Sequence, residues 1–254
     1  MAVRHSKTTD IYVGGADLAG DSAGIELILG GQNPETTSLA DAGRTHNQGI
    51  DEETATFEVL WDDTATVGSD ALLAPLLGTE EVISCYPGGD TLGRPGYSHG
   101  AFMAESFPIM SSVGEIVRAR FSGRANAIAM DRVISLYPKG TAITSTTAGT
   151  GYDRGSGVDA TDIAVYFYVH VLSNTASGGN AQWTITLQGS SDNGSSDAFA
   201  NVTSLTVTKA NTVIGGFKVS NSSFNLERYV RANALRDATS GSLIYQAGFA
   251  AVAN

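Results

Sequence analysis

The chain predicts an all-β protein: a β-sandwich or barrel with one short helix, followed by a second, smaller β-sandwich module. Three observations predict it. Short segments in which apolar and polar residues alternate recur along the chain, the two-residue period of strands that bury one face. Clusters of turn residues separate these segments, with none of the strand–helix alternation that builds parallel sheets. The 254 residues are 42% hydrophobic and only 16% charged, enough apolar material for one large β domain or two smaller ones.

Residues 1–10 are polar and read as an arm. Asp10–Val13 is a short strand, and Gly14-Gly15-Ala16-Asp17 a hairpin-type turn. The most organised stretch follows. Ile25–Leu29 reads as one strand and Thr54–Trp61 as a second, with a polar excursion from Gly30 to Glu53 between them. In the second strand Ala55, Phe57, Val59 and Trp61 share one face, and Thr54, Thr56 and Glu58 the other. A connection of that length is uncommon in a compact domain unless it has a function or is disordered. It is expected to reach a neighbouring subunit.

Ser69–Gly78 predicts a helix, with Ser69 or Asp70 as N-cap, Gly78 as stop and Pro75 limiting it to about two turns. Glu81–Tyr86 is the next strand, and a Gly- and Pro-rich loop runs on to Gly100. Ala101–Met110 is semi-regular, and Val113–Phe121 alternates as a strand, with Ile116, Arg118 and Arg120 on its polar side. Arg132–Tyr137 completes a first module, residues 1–139. Residues 140–157 are rich in Gly, Thr and Ser, a linker composition. The second module, 158–254, opens with Asp162–Leu172, apolar nearly throughout and so expected to be buried on both faces. It continues with Gln182–Gln188 around Trp183, a turn at Asp192-Asn193-Gly194, short strands at Leu205–Thr208, Gly216–Val219 and Arg228–Leu235, and a final strand from Ser242 to Val252.

The charge is uneven. Residues 1–150 hold 9 Lys and Arg against 19 Asp and Glu, whereas 151–254 hold 6 against 7. An acidic balance argues against tight phosphate binding, which needs cations to displace counterions, and suits a surface that nucleic acid passes without sticking. The one cysteine, Cys85, has no intrachain partner and reads as a small core hydrophobe. The N-terminal Met1–Lys7 lacks the apolar region of a signal peptide, and no apolar run approaches a membrane span. Synthesis in a cytoplasm is therefore expected, and the triplets at Asn193, Asn201 and Asn221 carry no glycosylation meaning.

Catalytic chemistry finds little footing. Gly96-Tyr97-Ser98-His99-Gly100 matches the G-x-S-x-G elbow of hydrolases, but that device needs a strand before it and a helix after it, and a loop is expected here. His5, His46, His99 and His170 lack metal-ligand spacing, Asp51-Glu52-Glu53 lacks the alternation of a calcium loop, and no Gly-rich segment ends as a phosphate cradle. The expectation is a structural protein with no catalytic residue, metal or cofactor.

The first module resembles the major tail tube proteins of long, non-contractile-tailed bacteriophages. The likeness lies in an order of features: Asp10-Ile11-Tyr12-Val13 before Asp17-Leu18, then Ile25-Glu26-Leu27, and a long loop with Glu35-Thr36-Thr37-Ser38-Leu39 and Gly43-Arg44. Gly49-Ile50, Thr54-Ala55-Thr56-Phe57, the lone helix, and Pro108-Ile109 leading into Val117-Arg118-Ala119 follow. The second module is similar, more vaguely, to β modules that some tail proteins append. The resemblance implies a tail-tube-type β-sandwich whose sheets join between subunits into hexameric or pseudo-hexameric rings. The rings stack into a tube through which DNA travels in transit, without sequence recognition. It implies self-assembly, tape measure, tail terminator and distal tail proteins as partners, no membrane, and a place in the virion tail.

On that reading the lumen-facing candidates are Glu26, Thr54, Thr56 and Glu58, with Arg118 and Arg120 beside them as pairing partners. A lumen with excess carboxylate would repel phosphate. The ring-stacking loop is Pro34 to Glu53, with Pro34, Glu35, Asp41, Arg44, His46, Asp51, Glu52 and Glu53 as candidates. Two other classes share the composition: a capsid-decorating or other virion surface protein, and a carbohydrate-binding module in which Trp183 and tyrosines stack on sugar.

Overall fold

Alternation and turn chemistry build an almost wholly antiparallel β protein. The computed structural model describes residues 8–30, 53–65, 68–127, 129–155, 160–177, 181–208, 214–237 and 241–253. Seventeen strands, one short α-helix and one 3-10 turn are found among the described residues. The chain divides into two compact units, one of Met1–Gly20, Val82–Gly100 and Asp131–Asn254, the other of Asp21–Glu81 and Ala101–Met130.

In the first unit one ladder runs β15 (Gly215–Leu226), β12 (Ala160–Asn174), β17 (Leu243–Ala253), β9 (Asp131–Tyr137), β6 (Pro95–Ser106), β5 (Glu80–Tyr86), β1 (Asp10–Val13) and β2 (Ala16–Asp17). A second sheet runs β10 (Thr147–Ala148), β16 (Tyr229–Asp237), β13 (Gln182–Ser190) and β14 (Ala200–Thr208), with β11 (Tyr152–Asp153) also on β16. The two short strands β10 and β11 lie within the stretch read as a linker, and β17 pairs with β9 through Phe249 and Ile134.

β12 is buried on both faces from Ala164 to Val171 apart from half-buried Tyr166, as its composition predicts. Val165, Phe167, Val169 and Val171 join Trp183, Ile185, Leu187, Val230, Ala232 and Tyr245 in a core between the two sheets. On its other face Tyr168 packs with Tyr12, Val82, Tyr86 and Val133, so the first ladder curls until its β1–β5 end covers the back of β12. Trp183 is fully buried in this core and unavailable to stack on a sugar.

The second unit is organised on β4 (Thr54–Leu60), flanked by β3 (Ser22–Ile28) and β8 (Arg118–Ala125). The later residues of β6 pair with β8, as does the short β7 (Ile109–Met110). Ala55, Phe57 and Val59 of β4 and Ala119 and Phe121 of β8 are fully buried. Phe121 sits at the centre of an aromatic group, 6.4 Å from the Phe57 ring, 6.4 Å from Phe102 and 6.3 Å from Phe107. Gly123 lets β6 close on β8, since a Cβ there would stand 2.1 Å from the Met103 carbonyl oxygen.

Four local expectations need correction. The strand expected at Val113–Phe121 begins only at Arg118, because Ser112–Glu115 forms a turn with Gly114 at φ +89°. The helix is shorter than expected: α1 spans Ser69–Leu73, its N-cap is Gly68, and Ala74–Leu76 with Pro75 tightens into a 3-10 turn. Ser69 does not cap it. Its hydroxyl donates to the Leu60 carbonyl and accepts from the Asp62 N–H, tying the helix to the end of β4. Finally, the 96–100 segment is not a loop but part of β6, and Ala101–Ser106 continues the same strand. A bare Gly96 makes this possible, as a Cβ there would stand 2.5 Å from the Cys85 carbonyl oxygen.

Candidate functional site

β4 and β8 each alternate, so the burial of one face fixes the other as a polar surface. Their antiparallel register places Glu58 opposite Arg120 and Thr56 opposite Ser122, while Glu26 of β3 stands opposite Thr56. All six residues expected to share a polar face are brought to it: Glu26, Thr54, Thr56, Glu58, Arg118 and Arg120 are exposed or half-buried, and their neighbours along β4 and β8 are buried. The pairing foreseen between arginine and carboxylate is formed, with Arg118 Nη1 donating to Glu58 Oε1 at 2.8 Å. Glu58 holds the guanidinium charged, by hydrogen bond first and by charge second, and raises its pKa above the ordinary arginine value.

Sequence reading missed four residues of this face. Arg124 Nη2 donates to Glu105 Oε2 at 3.2 Å, and the hydroxyls of Ser106 and Ser122 are 2.7 Å apart. The signal for two of them was present, since Ser122 and Arg124 continue the alternation of Arg118 and Arg120. With them the face carries three glutamates, Glu26, Glu58 and Glu105, and three arginines, Arg118, Arg120 and Arg124. It is compensated rather than rich in carboxylate.

The acid excess lies elsewhere in the same unit. Residues 21–81 and 101–130 hold 15 Asp and Glu against 4 Arg, net -11; the rest of the chain holds 11 against 11. The whole formal charge of the protein therefore belongs to the second unit. Away from the polar face its acids include Asp21, Asp62, Asp63, Asp70, Glu80, Glu81 and Glu115. Asp62 is held below the usual carboxylate range by the hydroxyl and N–H of Thr64.

Of the loop candidates, Pro34, Glu35, Asp41, Arg44, His46, Asp51 and Glu52 lie outside the described residues. Glu53 is buried, its carboxylate accepting from the Met130 N–H and its carbonyl from the Ala125 N–H. It anchors the loop's exit to β8.

The serine of the G-x-S-x-G match is also buried. Ser98 Oγ is 2.6 Å from Ser84 Oγ, and Ser84 Oγ is 2.7 Å from His170 Nε2. His170 Nδ1 lies 2.8 Å from the Gly14 carbonyl, which can only accept, so Nδ1 carries the proton and Ser84 donates to Nε2. Burial pushes the imidazole pKa down to about 4. This is a satisfied core histidine, stacked on Tyr12 at 5.4 Å. Cys85 is buried too, and burial raises its thiol pKa. No helix among the described residues is long and apolar enough to cross a membrane.

Neither a protein-family model nor a curated protein matches the chain. Among solved structures the chain is similar to the Dit (gp 19.1) protein of SPP1, described as a paradigm of the hub adsorption apparatus in phages infecting Gram-positive bacteria. The identity is 14%, the likeness covers 95% of this chain and 98% of that one, and the TM-score is 0.30. A likeness of that degree carries no functional argument.

Proposed function

We propose that the chain is a structural protein of a bacteriophage tail that assembles with itself into stacked rings, the β3–β4–β8 face turned toward a central bore. It performs no catalysis and holds no cofactor or metal. The observation that carries this reading is the division of charge: one unit bears the entire net -11 while its central sheet keeps one compensated polar face. The order of sequence features shared with tail tube proteins supports the same reading.

The physics of passage follows. Guanidinium groups bind phosphate when free to do so. Here Arg118 is engaged by Glu58 and Arg124 by Glu105, so neither is offered to a passing strand. Repulsion comes from the surplus carboxylates of the unit and is weakened by salt over a Debye length of about 8 Å at physiological ionic strength. The acidic lumen expected from sequence is thus proposed as a compensated floor within an acidic unit. The tape measure, terminator and distal tail proteins are proposed partners at the ends of the assembly.

Negative-stain microscopy of the purified chain tests the proposal. Rings or tubes with a central hole are expected. Small compact oligomers without a hole would favour the decorating-protein reading.

A further inference from the structure

Alternation along three strands of the first unit brings two arginines to one cleft. On β9 the buried Val133 faces one core, so Arg132 and Ile134 lie on the opposite side. On β17 Phe249 and Ala251 share a face in the same way, and Phe249 pairs in register with Ile134. β11 comes from the second sheet, where Tyr152 pairs with Val230 of β16 and the Arg154 N–H donates to the Arg228 carbonyl. Together these residues line a cleft of about 360 Å³, all within the first unit. That is the size of a small-molecule site.

The cleft has an apolar floor and cationic walls. Ile134 and buried Phe249 form the floor. The Tyr152 ring lies against bare backbone, since a Cβ on Gly93 would stand 2.8 Å from Tyr152 Cε2. Arg154 Nη1 donates to the Leu226 carbonyl at 3.1 Å and to the Glu227 carbonyl at 2.9 Å. Such carbonyl partners fix a guanidinium without cancelling its charge. Arg132 is exposed, and no acidic residue lines the cleft. Elsewhere the chain answers its arginines with carboxylates: Arg118 by Glu58, Arg124 by Glu105 and Arg228 by Asp153. Arg132 enters no ion pair among the described residues. Two like charges lining one cleft repel, and a bound anion relieves that repulsion.

We propose that this cleft binds a phosphate monoester that carries a flat ring, of the size of a nucleoside monophosphate. A phosphate monoester holds between about 1.5 and 2 negative charges near pH 7, which two guanidinium groups match and a singly charged carboxylate does not. Guanidinium forks meet phosphate oxygens in pairs. The ring rests on Tyr152 and the apolar floor, as aromatic contacts favour. A backbone phosphodiester carries one charge and, in a duplex, offers no bare ring, so the cleft does not select DNA in transit.

Isothermal titration calorimetry of the full chain with adenosine monophosphate tests the assignment. Adenosine supplies the ring without the charge, inorganic phosphate the charge without the ring, and benzoate a ring with a carboxylate. The monophosphate is expected to bind, and each of the other three at least about tenfold more weakly, the loss of one charged or aromatic contact. Arg132→Gln, at an exposed position, should weaken the monophosphate by about tenfold. Ala251→Trp should fill the cleft and abolish binding, with circular dichroism confirming that each variant folds. If Ala251→Trp fails to fold, Arg132→Gln decides. No binding by the wild type, or equal binding by Arg132→Gln, would overturn the proposal. Inorganic phosphate as tight as the monophosphate would remove the ring subsite, and benzoate as tight would remove the phosphate preference; either overturns the assignment.

Discussion

In the unit of residues 1–20, 82–100 and 131–254, eleven acids meet eleven bases and the central strand β12 is buried on both faces. In the unit of 21–81 and 101–130, fifteen acids meet four arginines and the central strand β4 buries one face only. The first has the make-up of a scaffold, with apolar cores packed on both faces of β12. The second spends its sequence on surface: a compensated polar face, an acidic remainder and two exposed apolar patches, Ile28 with Leu29 and Ile109 with Met110. Stability is therefore expected to reside mainly in the first unit and assembly contacts in the second.

The largest effects should come from removing the centre of either core. Trp183→Ala in the first unit and Phe121→Ala in the second each empty a fully buried site, at a cost of about 3–5 kcal/mol. Chemical denaturation followed by far-UV signal should show each variant lowering a different transition. If both lower the same one, the units unfold together and the contrast in stability is lost.

Next comes pH, where the buried His170 of the first unit sets the expected response between pH 6.5 and 4. Above pH 6.5 His170 is neutral folded and unfolded, and its contribution is complete. As pH falls from 6.5 toward the folded value of about 4, the unfolded chain takes a proton that the folded chain refuses, so stability drops, by at most about 3 kcal/mol. His170→Gln should flatten the pH dependence of the denaturation midpoint in that window. An unchanged slope would mean that another group drives it.

Gly123→Ala sharpens the picture of the second unit. The added methyl meets the Met103 carbonyl and, at 2.7 Å, the Phe102 ring, so β6 and β8 must part. A loss of about 1–3 kcal/mol is expected in denaturant titrations, with the first unit unaffected.

The smallest stability effect belongs to the polar face. Glu58→Gln removes a partner that Arg118 holds at a half-exposed position, and exposed pairs are worth about 0–1 kcal/mol. Its consequence should instead appear in DNA retention. With Arg118 released, assembled protein should bind duplex DNA measurably at low salt, where the parent does not, in a filter or gel-shift assay. Equal retention by both would remove the compensation argument.

How far these features were legible in the sequence follows from what each depends on. Strand periodicity is local, so β1, β4, β9, β12 and β13 and the shared face of Glu26, Thr54, Thr56, Glu58, Arg118 and Arg120 were all readable. The buried Cys85 and the turn at Asn193-Gly194, two residues at positive φ, were readable for the same reason. What failed depends on distant partners. Gly96 to Gly100 resembles a loop until Cys85 and Tyr86 are seen to demand bare backbone beside them. Ser69 resembles a cap until its hydroxyl is found bonded to Leu60. The alternation at Val113–Val117 was genuine but lay on a turn, where it marks exposure rather than a buried face. The neutrality of one unit was invisible because its three segments are far apart in the chain.

The account turns on which way the β3–β4–β8 face points in the assembly. Cryo-electron microscopy of assembled particles measures it directly. The account predicts rings with Glu26, Thr56, Glu58, Arg118 and Arg120 lining a central bore. A reconstruction with those residues on the outer surface, or with no bore at all, would contradict it.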